Sequence, residues 1–206
     1  MKHYNTVLTI AGSDCSGGAG IQADIKAISA LGGYAASAIT AVTVQNTVGV
    51  TAVHPVPANI VEGQIRAVLD DIGAKAIKIG MLQSADIVHL IARLIKEYDI
   101  RNVVLDPVMV STSGHRLIEE TAISALQTEL IPLTRVITPN IPEAEILLDG
   151  NAITLQEDMP QAVKALSQRY HTSVLLKAGH LTEDNLVDYF YDAEQDELTL
   201  LPSVRV

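Results

Sequence analysis

The sequence predicts an α/β fold in which a mostly parallel sheet carries helices on both faces, and three observations support this. Apolar, β-branched runs recur along the chain, segments with helical spacing alternate with them, and the composition suits one sizeable core. The chain has 206 residues, 48% hydrophobic and 18% charged. TVLTI at 6–10 reads as the first buried strand, and the apolar spacing of 19–31 predicts the helix that follows. SAITAVTV at 37–44 predicts a second strand and 57–72 a second helix; AIKIG at 76–80 and 84–98 repeat the alternation. NVVLD at 102–106 is the fourth strand, followed by a helix over 119–130, beside which Ile118, Ala122, Leu126 and Leu130 fall four apart. RVITP at 135–139, helices over 143–148 and 159–170, and SVLLK at 173–177 complete the series. NLVDYFYD at 185–192 and ELTLLP at 197–202 alternate apolar and polar residues and predict a hairpin across an acidic turn, 193–196. No repeat or linker interrupts this order, so residues 1–206 are expected to form a single domain.

Composition narrows the function classes. A net charge of -10 and a pI near 4.9 argue against an extended basic surface for nucleic acid, while leaving room for a local cationic site. Cys15 is the sole cysteine, which excludes an internal disulfide and every multi-cysteine metal site and fits a reducing compartment. The first residues carry one lysine and an apolar run too short for a signal peptide, and no segment has about 18 uninterrupted apolar residues. No membrane association and a cytoplasmic address are expected.

In an open α/β sheet the working loops lie beyond the carboxyl ends of the strands. That rule selects Gly12-Ser13-Asp14 with the glycines that follow, Gln45-Asn46-Thr47, Gly80-Met81, Asp106 to Met109, Asn140 with Glu143, and Lys177 to His180. The glycine loop, with Gly12, Gly17, Gly18 and Gly20, meets neither the P-loop nor the dinucleotide spacing. It reads as an ordinary strand-to-helix turn or as a backbone cradle for an anion or polar ligand. Asp24 falls one helical turn after Gly20 and could face the same space. Cys15 has no basic neighbour in sequence and reads as a small packing residue.

Asn140 and Glu143, three apart at a helix start, fit a capping box; they also fit an amide and a carboxylate gathered near hydrated Mg²⁺ and phosphates. Asp106, held by Pro107, is a second carboxylate of that kind, and Lys177 brings an ammonium to the sheet's carboxyl edge or extends to solvent. The six histidines form no metal pattern, and STSGH at 111–115 copies only part of a hydrolase elbow.

Taken in order, TIAGSDCSGGAGIQADIK, TAVTVQNT, IKIGML, VVLDPVMVSTSG, TPNIPEAEIL and VLLKAGHL resemble the hydroxymethylpyrimidine and phosphomethylpyrimidine kinases of thiamine biosynthesis, a branch of the ribokinase-like superfamily. The resemblance covers almost the whole chain. It implies a three-layer ribokinase-like (Rossmann-like) fold and ATP-dependent phosphorylation of 4-amino-5-hydroxymethyl-2-methylpyrimidine and then of its monophosphate. It places the pyrimidine near Gly12, Asp24 and Gln45, with Met81 and Val108 as apolar walls. Asn140, Glu143 and Lys177 fall to the ATP phosphates, Asp106 and Glu143 to Mg²⁺ through water, and the family implies a homodimer. The family also carries a Gly-Thr-Gly-Cys-like segment whose amides stabilise the transferring phosphoryl and whose last residue is assigned as base. This chain stops at LPSVRV, so a C-terminally incomplete fold is expected, with the base beyond Val206 and no catalytic base assigned within the chain. Two alternatives stand beside this reading: a pyridoxal or pyridoxine kinase of the same superfamily, and a catalytically impaired pyrimidine-binding protein.

Overall fold

The structure, a computed structural model, describes residues 4–109, 118–181 and 185–204. Its elements run β1 (Thr6–Asp14), α1 (Gly20–Ala30), β2 (Tyr34–Gln45), β3 (Val50–Pro55), α2 (Ala58–Asp71), β4 (Ala76–Ile79), α3 (Ala85–Glu97) and β5 (Val103–Leu105). They continue with α4 (Glu120–Ala125), β6 (Val136–Ile137), α5 (Ile141–Leu147), α6 (Met159–Tyr170), β7 (Ser173–Leu176), β8 (Asn185–Asp192) and β9 (Glu197–Val204). The strands form one nine-stranded sheet in the order β3-β2-β1-β4-β5-β6-β7-β8-β9. From β2 to β7 every neighbour is parallel, while β3, β8 and β9 join antiparallel at the two edges.

The alternation of side chains along the strands separates two faces. Leu8, Ile10, Ile77, Ile79, Val103, Leu105, Ile137 and Val174 share one face and are fully buried in a core that includes Val61 of α2, Ile91 of α3, Ala122 of α4 and Leu166 of α6. Helix α1 packs on the other face, where Asp24 meets Thr9 of β1 and Lys78 of β4. Right-handed crossovers require this division, because β1 connects toward β2 in one direction and β4 toward β5 in the other.

The expected elements are present with three differences. β1 continues four residues past Ile10 and carries the chain into the glycine loop. β3 was not foreseen; it is an edge strand with both faces largely exposed, so its sequence lacks a hydrophobic period. The helix expected over 119–130 is α-helical only to Ala125, widens to a π turn at Leu126–Leu130 and closes as a 3₁₀ turn at Ile131–Leu133. Pro132 has no N–H for the Thr128 carbonyl, and the Thr128 hydroxyl donates to the Ser124 carbonyl, so the regular ladder is disturbed twice within one turn. The hairpin forms as expected, its turn closed by Asp196 in a left-handed conformation and by the Tyr191 hydroxyl donating to the Asp196 carboxylate. The partial elbow at 111–115 lies outside the described residues.

Gly20 has a φ of +57°, and a Cβ there would strike the carbonyl oxygen of Gly12, so the loop closes only without a side chain. Gly63, in the exposed middle of α2, has nothing within 4 Å of its would-be Cβ. Gly63→Ala should therefore raise stability by about 0.5–1 kcal/mol. Gly20→Ala should lower it by more than about 2 kcal/mol. Urea melts of the two variants check both signs; an unchanged Gly20→Ala midpoint would mean the loop can open without cost.

Candidate active site

The strand order reverses at β1: β2 lies on one side, and β4, reached later, on the other. Connections leave these carboxyl ends in opposite directions, and a crevice opens between them. A cavity of about 440 Å³ occupies it, bounded by the loops after β1, β2, β4, β5, β6 and β7.

One end is built by the glycine loop and the end of β2. The loop is shaped by Asp14, only 3% exposed, whose carboxylate accepts from the amides of Ser16, Gly18 and Ala19 and from the Ser16 hydroxyl at 2.8–3.0 Å. Burial alone would raise the Asp14 pKa, but the Ser16 hydroxyl and these three amides outweigh it and hold the carboxyl below its ordinary value. Three of the loop's amides are thus committed to an internal anion, and the loop serves the cavity as a wall. Gln22 locks it from α1, accepting from the Asp14 amide at 2.9 Å and donating to the Ser13 hydroxyl at 2.7 Å. Gln45 faces it across the cavity. The Gln45 side chain accepts from the Thr43 hydroxyl at 3.2 Å, and its backbone carbonyl accepts from the Cys15 thiol at 3.1 Å. Cys15 is exposed and ties the loop to β2, where a packing role had been expected. Met81 fills the floor; a Cβ on Gly12 would lie 2.8 Å from its terminal methyl, so Gly12 admits that side chain.

The other end is polar. Asp106, directly after β5, accepts on one oxygen from Lys177 Nζ at 2.8 Å and from the Thr138 hydroxyl at 3.0 Å. Asn140 and Glu143 form a complete capping box for α5: the Glu143 amide donates to Asn140 Oδ1 at 3.0 Å and the Asn140 amide to Glu143 Oε2 at 2.9 Å. Both residues also line the cavity, so the cap and the cavity wall are the same two side chains. Glu143 is 2% exposed, and its pKa is pushed up to about 7, first by burial and then by the nearby Asp106 charge, against the amides of Asn140 and Met109 and the attraction of Lys177.

Gly12, Gln45, Met81, Val108, Asp106, Asn140, Glu143 and Lys177 all border this cavity. Asp24 stands behind the wall, bonded to Lys78, which does line it. Lys78 was not singled out from sequence, although a lone lysine inside the buried run AIKIG is a signal, since a buried ammonium needs a reason. Among the described residues no three metal-ligating side chains gather, and Asp106 with Glu143 is a donor set suited to a hydrated hard cation only. His89 lies on the exposed side of α3, paired with Glu129 at 2.9 Å.

A three-layer ribokinase-like sheet with a lysine, two carboxylates and a capped helix start at one end of its crevice defines the class: small-molecule phosphotransferases. The chain belongs to the phosphomethylpyrimidine kinase family, whose sequence pattern matches residues 14–206. It is 48% identical over 200 residues to the hydroxymethylpyrimidine/phosphomethylpyrimidine kinase of Rhizobium meliloti, covering 97% of this chain and 74% of that one. It is 48% identical over 187 residues to the thiamine biosynthesis bifunctional protein ThiED of Geobacter sulfurreducens; there it covers 91% of this chain and spans only 38% of the larger protein. The fold is also similar to the ADP complex of Bacillus subtilis pyridoxal kinase, with a TM-score of 0.88, 36% identity, and coverage of 99% and 77% of the two chains.

Because the Glu143 pKa is raised, the folded chain keeps a proton that the unfolded chain releases between about pH 4.5 and pH 7. The associated stability is complete below the unfolded value and is lost as pH rises through about 7. Glu143→Gln should remove this dependence, so that its stability relative to the parent grows by about 2–3 kcal/mol between pH 4.5 and pH 8. Denaturant melts of the ligand-free proteins across that range measure it; a difference independent of pH would mean Glu143 ionises normally.

Proposed function

We propose that this chain phosphorylates 4-amino-5-hydroxymethyl-2-methylpyrimidine with ATP, and then its monophosphate to the diphosphate, as a single kinase domain in the cytoplasm. The observation that carries the reading is the polarity of the cavity: an amide and apolar walls at one end, a lysine with two carboxylates at the other. Gln45 offers a donor and an acceptor together, which suits the adjacent amine and ring nitrogen of an aminopyrimidine. Met81, Val108 and Gly12 form the walls against which the ring lies, and Asp24 supports that end through Lys78. Asn140, Glu143 and Lys177 take the triphosphate, and Asp106 and Glu143 are the residues that would hold a hydrated Mg²⁺, which would supply neutralisation of the phosphate charge. In the reaction the acceptor oxygen bonds to the γ-phosphorus as the bond to the β–γ bridging oxygen breaks, and the acceptor proton is released. The chain's own residues contribute positioning and charge, and no base among the described residues is assigned.

The acidic surface supports a small-molecule partner over nucleic acid, and no helix among the described residues is long and apolar enough to cross a membrane. Exposed Val42, Val44 and Val48 near the β3 edge support a homodimer. Pyridoxal phosphorylation is the second reading, favoured by the likeness to pyridoxal kinase and opposed by the higher identity to the pyrimidine kinases.

Release of ADP with Mg-ATP, measured with the pyrimidine alcohol, its monophosphate, pyridoxal and no acceptor, tests the reading. Turnover with the two pyrimidine compounds is expected. Faster turnover with pyridoxal would transfer the assignment to the second reading, and pyrimidine binding without ADP would identify a binding protein. Gln45→Leu should weaken binding of the alcohol about 10- to 30-fold, as the loss of one well-placed amide predicts, with the melting midpoint nearly unchanged. A large fall in that midpoint would make Gln45 a structural residue.

A further inference from the structure

Lys78 is a cation for which the reading above has no chemical task. It sits inside β4, where its neighbours in register are Thr9 on β1 and Val104 on β5, and its chain runs along the sheet face that carries α1. Its Nζ donates to Asp24 Oδ2 at 2.9 Å, the same oxygen that accepts from the Thr9 hydroxyl at 2.6 Å. No other partner of that ammonium is found among the described residues, so two of its three N–H groups remain to be satisfied. The side chain is only 26% exposed, and what it borders is the cavity. Gly80, two residues further on the same face, keeps the approach open: a Cβ there would lie 3.1 Å from Lys78 Nζ.

The other charges of the cavity are already engaged. Asp14 stays ionised and is solvated by its own loop, so the Ser16, Gly18 and Ala19 amides are already taken by an internal anion. Lys177 is held by Asp106 on the β5 to β7 side. The sheet order puts β4 between β1, which carries the ring-binding loop, and β5, which carries Asp106. Lys78 therefore stands at the midline, where the substituent being phosphorylated has to lie. Lys177 starts three strands away, at the end of β7, and its ammonium reaches only as far as Asp106 at the end of β5, which holds it. When that substituent is a hydroxymethyl group, the midline holds a neutral polar atom. When it is already a phosphate, the midline receives close to two negative charges in a crevice that Asp106 and Glu143 also border.

We propose that Lys78 is the specificity-determining cation for the phosphorylated substrate: it receives the phosphomonoester at the midline, with Asp24 as its counter-ion. This rests on the pyrimidine kinase reading and adds to it a residue that distinguishes the second acceptor from the first. Asp24 keeps the ammonium oriented and balances its charge while the neutral alcohol is bound.

Calorimetric binding of the alcohol and of its monophosphate to the full chain, without ATP, tests this independently of turnover. The quantity read is the selectivity, the affinity for the monophosphate divided by that for the alcohol. Lys78→Met should lower selectivity about 10- to 100-fold, the range for loss of a charge-assisted hydrogen bond. Asp24→Asn should raise it, because Lys78 loses its counter-ion, and the double variant should match Lys78→Met. The double variant leaves neither charge unpaired, so it keeps the test available if Lys78→Met fails to fold. A merely structural ion pair would move both single variants in the same direction, or leave selectivity unchanged, and either result overturns the proposal. If the parent chain binds neither compound, the pyrimidine reading falls and this one with it. If the parent binds both and selectivity does not respond to residue 78, only this one falls.

Discussion

The reversal of strand order at β1 is the constraint from which the site follows. Parallel strands joined by right-handed crossovers must send successive connections to one face, unless the order of addition changes direction. Here it changes once, between β2 on one side of β1 and β4 on the other, and the loops that leave those strands part. Most residues that border the cavity lie at the carboxyl end of a parallel strand or in the loop beyond it, and Lys78 reaches it with a long side chain from the face of β4. Short strands suffice at the polar end: β6 has two residues and β5 three, enough to deliver Asn140 and Asp106 to the same edge.

Electrostatics within the crevice is arranged as local pairs. Asp106 is neutralised by Lys177 and Asp24 by Lys78, while the Asp14 anion is solvated by backbone amides of its own loop, so each of these charges has a local partner. Glu143 is the exception. It lies buried beside Asp106 and keeps its proton toward neutral pH. Such pairing fixes the positions of these side chains within the protein itself, which lowers the ordering cost of binding.

Much of this was legible in the sequence because its signals were local. Buried parallel strands announce themselves as β-branched runs, and the loops beyond them carried the cavity residues from Gly12 to Lys177. What escaped had no local signature. β3 is exposed on both faces and so has no period to read; the π turn at Leu126–Leu130 keeps the four-residue apolar spacing of an ordinary helix while altering its hydrogen bonds. The glycine loop looked open to a ligand anion because its internal one, Asp14, stood only as a neighbouring letter. Lys78 was hidden by the rule that found the others, since it lies before the strand end. Asn140 and Glu143 posed a choice between cap and function; the fold makes them the cap of α5 and also places both on the cavity wall.

The central position of β1 also governs how the chain can be assembled. β1 is the first strand in sequence, yet one of its edges is closed only by β4, about seventy residues later. Chains whose native contacts join distant segments fold slowly, because loop-closure entropy is lost before those contacts reward it. During synthesis the β1–β2 pair with α1 waits with one β1 edge unpaired and its Leu8 and Ile10 face uncovered until β4 has emerged, after which β5, β6, β7, β8 and β9 add in sequence order to one growing edge. The interval between β2 and β4 is thus the stage at which the nascent chain is most open to chaperone capture or misassociation.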